Sequence, residues 1–187
     1  MKIINKLLIV ACLCLPLLTF AQLENRFSIG PRLGVNFATT DAESSEFNTG
    51  IVAGVTSTYS FNEQTGLTVD LLYSAETYNA DIDYLRIPIL FNAFFGDLGE
   101  SFRPKIYAGV APGFFINGEV NGIDVEKSTY NSIVFDAVGG LGFNYRIASR
   151  VWLNVDVRAA LGLTPVTDLP EVSGRNIQLS VGVAYGL

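Results

Sequence analysis

Between Arg26 and Phe37 the chain reads RFSIGPRLGVNF. Phe27, Ile29, Pro31, Leu33, Val35 and Phe37 are apolar, while Arg26, Ser28, Gly30, Arg32, Gly34 and Asn36 are polar or glycine. Strand side chains alternate between faces, so this period of two specifies a β-strand with one greasy and one wet face. Soluble strands usually run about five or six residues. A tilted strand that crosses a bilayer needs about 9–11, and this stretch is long enough.

The pattern recurs seven times. Alternation predicts further strands over Gly50–Phe61, Gly66 to about Tyr78, Tyr84–Phe95, Lys105–Ile116, Ser132–Tyr145, Arg150–Leu163 and Arg175–Leu187. Leu72 breaks the alternation of the third, and Gly109 and Pro112 interrupt the fifth. The links after strands two, four and six are NEQT, GDLGESFR and RIAS; the others are mostly longer and more acidic. Short turns at one end and long loops at the other predict an all-β fold, an eight-stranded antiparallel up-and-down transmembrane β-barrel. Pro31, Pro88 and Pro112 fall inside strands, where each removes a ladder hydrogen bond, so bulges or weak pairing are expected there. In the longest link, Asn121-Gly122 between Glu119-Val120 and Ile123-Asp124-Val125 predicts a hairpin. A calcium loop is the competing reading, and it fails where Ser128 stands in place of the terminal glutamate.

Composition agrees with a distributed membrane signal. Apolar residues make up 49 % of the chain and charged ones 16 %, against about 25 % charged in typical soluble domains. Residues 1–21 read as a secretory signal peptide: Lys2 and Lys6, an uncharged run from Leu7 to Phe20, and Ala21 at the cut. Residues 22–187 then form the barrel domain. Removal of the leader takes away Lys2, Lys6, Cys12 and Cys14, leaving ten basic against eighteen acidic residues and a net charge of −8. That balance argues against nucleic acid as a partner. With no histidine in the chain and no cysteine after the leader, triads built on His and metal sites built on His or thiolate are excluded. No cofactor is expected.

The wet faces carry Arg32, Asp70, Glu76, Arg86, Asp136, Asp156 and Arg158 among many glycines. Both signs and small residues suit a narrow lumen filled by ion pairs, since eight strands leave room only for side chains. Arg32, Arg86 and Arg158 are expected to pair with Asp70, Asp136 and Asp156. A carboxylate pair could act as acid and base, but the arginines on the same face favour a structural network and a non-enzymatic protein. The long-loop end holds Asp41, Glu43, Glu46, Asp81, Asp83, Glu119, Asp124, Glu126, Asp168 and Glu171 against Lys127 alone. With the N-terminus in the periplasm, these acids face outward beside lipopolysaccharide. There they form a solvated rim or share Ca²⁺ or Mg²⁺ weakly with the lipid. Arg103, Lys105, Arg146 and Arg150 are expected at the other end. A soluble, secreted calycin-like lipid carrier would show the same alternation with the greasy face turned inward.

Tyr84-Leu85-Arg86-Ile87-Pro88 resembles the strand motif of the PorT-like outer-membrane β-barrel family. Gly34-Val35-Asn36-Phe37, Leu71-Leu72-Tyr73-Ser74, Asp156-Val157-Arg158 and Leu161-Gly162-Leu163 fit the same resemblance. It covers Arg26 to Leu187 and implies an eight-stranded barrel in the outer membrane of a Gram-negative bacterium. The founding type is linked to a secretion apparatus. The resemblance favours an accessory barrel with an envelope protein partner; the alternatives are a surface barrel that binds a ligand through its acidic loops and the soluble carrier.

Overall fold

The computed structural model describes residues 26–40, 48–77, 81–97, 100–120, 123–124, 131–165, 167–168, 171–172 and 174–187. The leader, Asp41, Glu43, Glu46 and Glu126 lie outside them. The strands are β1 (Phe27–Thr40), β2 (Asn48–Ser60), β3 (Thr65–Thr77), β4 (Asp81–Arg86), β5 (Ile89–Phe94), β6 (Phe102–Val120), β7 (Ile123–Asp124), β8 (Ile133–Ala148), β9 (Val151–Gly162), β10 (Thr167–Asp168), β11 (Glu171–Val172) and β12 (Gly174–Gly186).

Eight staves close into a barrel: β1, β2, β3, the β4–β5 pair, β6, β8, β9 and β12, each antiparallel to its neighbours. β12 pairs with both β9 and β1, which leaves no free edge. Cross-strand partners run from Ser74 through Val52, Gly34, Ser180, Asp156, Gly142 and Lys105 to Phe94. Phe94 N–H then donates to the carbonyl of Gln64, just below β3, at 2.7 Å. One circuit therefore lands ten residues lower (74 − 64). Such a stagger goes with strands tilted by about 35–45°.

The prolines act where expected, but unequally. The fourth stave is broken between Arg86 and Ile89, and its register on β3 is unchanged across the gap, from Leu72–Arg86 to Val69–Ile89. Pro88 accepts from Asp70 N–H at 3.0 Å and Pro112 from Ile87 N–H at 2.8 Å. Neither proline has an N–H to return. Two ladder bonds are thus missing on opposite sides of one dipeptide, and the strand parts there. β6, expected to be the interrupted strand, instead runs unbroken for 19 residues, because Pro112 keeps its partner Phe135 on β8. Gly30 and Pro31 have no ladder partner on β12, where pairing passes from Ile29–Tyr185 to Arg32–Gly182.

Strand ends also shift. Asp81 and Asp83, expected in a loop, lie on β4, paired with β3 and β6. β8 extends to Ala148. Glu119–Asp124 and Val120–Ile123 pair as a hairpin between β6 and β7.

The greasy face points outward: Leu33 is 64 % exposed, Ile51 65 % and Leu141 62 %. The wet face points inward, and Leu72 joins it at 2 %. Its other apolar members include Leu90, Tyr107, Ala111 and Val138, packed as one cluster.

Candidate functional site

All seven inward-facing charged residues named from the sequence meet a partner of opposite sign. Arg32 Nη1 lies 2.8 Å from Asp156 Oδ2, and Arg158 Nη2 lies 3.0 Å from Asp70 Oδ2. Arg86 grips Glu76 with two prongs, Nε to Oε1 at 2.5 Å and Nη2 to Oε2 at 2.7 Å. Its Nη1 reaches Asp136. A planar guanidinium suits such forked contacts. Neutral groups complete the set. Arg32 donates to Ser180 Oγ at 3.0 Å, Ser74 Oγ donates to Glu76 Oε1 at 2.8 Å, and Asn36 donates to Ser74 Oγ at 2.7 Å.

Two lumenal cations were not anticipated. Lys105, expected at the short-turn rim, is 5 % exposed, and its Nζ lies 2.8 Å from Asp156 Oδ1. Arg103, expected at the same rim, is 4 % exposed. It lies over the Phe94 ring at 4.5 Å and donates to the Glu63 carbonyl. The signal was present in the sequence. Arg103, Lys105, Tyr107, Ala111 and Gly113 alternate with Phe102, Pro104, Ile106, Ala108, Val110 and Phe114. A strand begun at Phe102 carries both cations on its inner face. Arg146 and Arg150 do sit at the short-turn end, with the Arg146 guanidinium 5.8 Å from the Trp152 ring.

The pairs are stacked in layers. Near the short turns, Asp156 is shared by Arg32 and Lys105, an excess of one positive charge. At mid-height Arg158 and Asp70 balance. Near the long loops Arg86 is shared by Glu76 and Asp136, an excess of one negative charge. An aromatic ring separates the lower two layers: Tyr107 lies between Lys105 and Arg158, 5.5 and 5.7 Å from its centroid. Tyr84 lies 5.0 Å from Arg86 and edge-on to Phe115. Gly140 makes room for Tyr107, since a Cβ there would stand 2.6 Å from the ring.

Among the described residues no three acidic, His or Cys side chains gather as a metal site. Of the acidic-loop residues that are described, Asp124 lies on β7.

A family model described as outer membrane protein beta-barrel domain matches residues 20–168. The chain belongs to that family. Solved structures of similar shape include neisserial surface protein A, with a TM-score of 0.68 at 16 % identity, covering 86 % of this chain and 97 % of that one. OprG from Pseudomonas aeruginosa has a TM-score of 0.55 at 15 % identity, covering 86 % and 95 %. The outer membrane enzyme PagL has a TM-score of 0.51 at 16 % identity, covering 86 % and 99 %. None of the curated proteins compared with the chain matches it. At these identities the structures speak for the fold alone.

This member of the outer membrane beta-barrel domain family resides in the outer membrane of a Gram-negative bacterium. The soluble lipid-carrier reading is therefore wrong. Its physical premise fails too, because a carrier would turn Leu33 and Ile51 inward and its arginines outward.

Proposed function

We propose that this is a non-enzymatic, ion-tight barrel of the PorT-like type that serves an envelope complex, with a secretion apparatus as the system to test first. The buried lumenal network carries the reading. Four carboxylates, Asp70, Glu76, Asp136 and Asp156, are each held by a cation. Such groups brace the wall, and these four carboxylates are each tied to a cation rather than free to act as acid or base. Removing them would leave a channel, and filling the lumen with them excludes one. The partners are outer-membrane lipid, lipopolysaccharide and an envelope protein, with no nucleic acid.

Reconstitution in planar bilayers tests closure: no stable large conductance is expected, and a steady porin-like current refutes it. Gentle solubilisation followed by mass spectrometry tests the role, with an envelope protein expected to co-purify. Capture of an extracellular ligand instead favours a surface-binding barrel. One observation speaks for that second reading: β6 and the hairpin it forms with β7 carry Glu119 and Asp124 at the acidic end of the barrel.

A further inference from the structure

The mid-lumen holds a small cavity bordered by polar side chains, among them Arg158, Gln178 and Asn176, and by apolar ones, among them Leu72, Val138 and Ala160. Arg158 is 4 % exposed; its Nη2 is held by Asp70, and the Tyr107 ring stands 5.7 Å from its guanidinium. Its Nε and Nη1 are buried without a protein partner, as are Gln178 Nε2 and Asn176 Oδ1. Buried polar atoms in native proteins are almost always satisfied, by water when not by protein. The volume open to water centres is about 20 Å³, and one water needs about 10–15 Å³.

We propose that one or two ordered waters occupy this cavity. They accept from Arg158 and Gln178 and donate to Asn176, completing the hydrogen bonding of the Arg158–Asp70 pair. Open donors and an open acceptor together fit water, which is both. They fit an anion poorly, because the adjoining layer of Arg86 with Glu76 and Asp136 carries an excess negative charge. A cation would face the Arg158 guanidinium. Apolar side chains also border the cavity, but leaving it dry would strand these four buried polar atoms without partners.

The site is read from unpartnered atoms and does not rest on the barrel being closed to ions. The test uses the full barrel in lipid nanodiscs, with water-to-Arg158 Hε and water-to-Gln178 Hε2 cross-relaxation measured by NMR. Cross-peaks with the sign of nanosecond or longer residence are expected. Their absence from both groups overturns the proposal. Crystals grown in bromide supply the second measurement: an anomalous peak beside Arg158 Nε overturns water in favour of an anion. Ala160→Leu, which fills the cavity, should abolish both cross-peaks. Ala159→Leu, on the outer face of the same strand, should leave them. Cross-peaks that survive Ala160→Leu would place the waters elsewhere and refute the site. A steady bilayer current with long-lived cross-peaks would overturn lumen closure alone, and a closed lumen without them would overturn the water site alone.

Discussion

Neutralising Asp156 should destabilise this barrel far more than removing one of its two cations. The Asp156 side chain is 1 % exposed and bridges Arg32 and Lys105, each at 2.8 Å. Asp156→Asn keeps the shape and removes the charge, leaving two buried cations with no counter-charge. Breaking one buried pair costs about 3–5 kcal/mol, and with two orphans the expected cost is about 5 kcal/mol. Lys105→Met leaves Arg32 and Asp156 as a balanced pair and keeps most of the apolar stem, so its cost should be within about 1 kcal/mol. In the Lys105→Met background Asp156→Asn orphans only Arg32, and its cost should fall to about 3 kcal/mol. The implied coupling is about 2 kcal/mol, within the range seen for contacting residues. Trp152 is the single tryptophan and lies on β9, as Asp156 does. Its fluorescence can therefore follow equilibrium urea unfolding in lipid vesicles, where a shifted midpoint at constant slope reads stability. If Asp156→Asn stays within 1 kcal/mol of wild type, or Lys105→Met costs as much as Asp156→Asn, the layered-charge argument is wrong.

Neighbouring glycines should respond oppositely. Gly140→Ala puts a Cβ 2.6 Å from the Tyr107 ring and should cost about 1–3 kcal/mol, with Tyr107→Ala relieving part of it; Gly139→Ala meets nothing nearer than 4.0 Å and should be neutral or stabilising by about 0.5–1 kcal/mol, both read by the same urea titration. On the lipid face, Leu141→Arg should cost about 2–4 kcal/mol, and Ile147→Arg near the short-turn rim about 0–1 kcal/mol; equal costs would contradict the membrane placement. Neutralising Asp41, Glu43, Glu46, Asp124 and Glu126 together should reduce the gain in unfolding temperature that Ca²⁺ gives the protein in lipopolysaccharide. An equal gain in both proteins would leave only a solvated acidic rim.

The strands are legible because period two runs through most of their length, from Phe27 to Phe37 as from Ile177 to Tyr185, and breaks at single positions such as Leu72. Strand ends are less so. A polar residue such as Asp81 or Asp83 reads as loop, yet its backbone still pairs with β3 and β6. The break at Arg86–Ile89 needed two prolines on different staves, Pro88 and Pro112, to fall on either side of Ile87. That coincidence exists only once β4 and β6 are in register. The lumen shows the same limit. Glu76 and Arg86 sit on consecutive staves, and a sequence reader can bring them together. Arg158 and Asp70 are 88 residues apart and meet only across a closed lumen. Asp156 can be assigned to Arg32 and Lys105 only when the ten-residue stagger is known, because that stagger decides which inward residues share a height. Alternation supplies the sign of each face; the stagger supplies the partners. Two sequences with identical alternation and a different stagger would tilt their strands differently and bring different inward residues to one height, so they would hold different ion pairs.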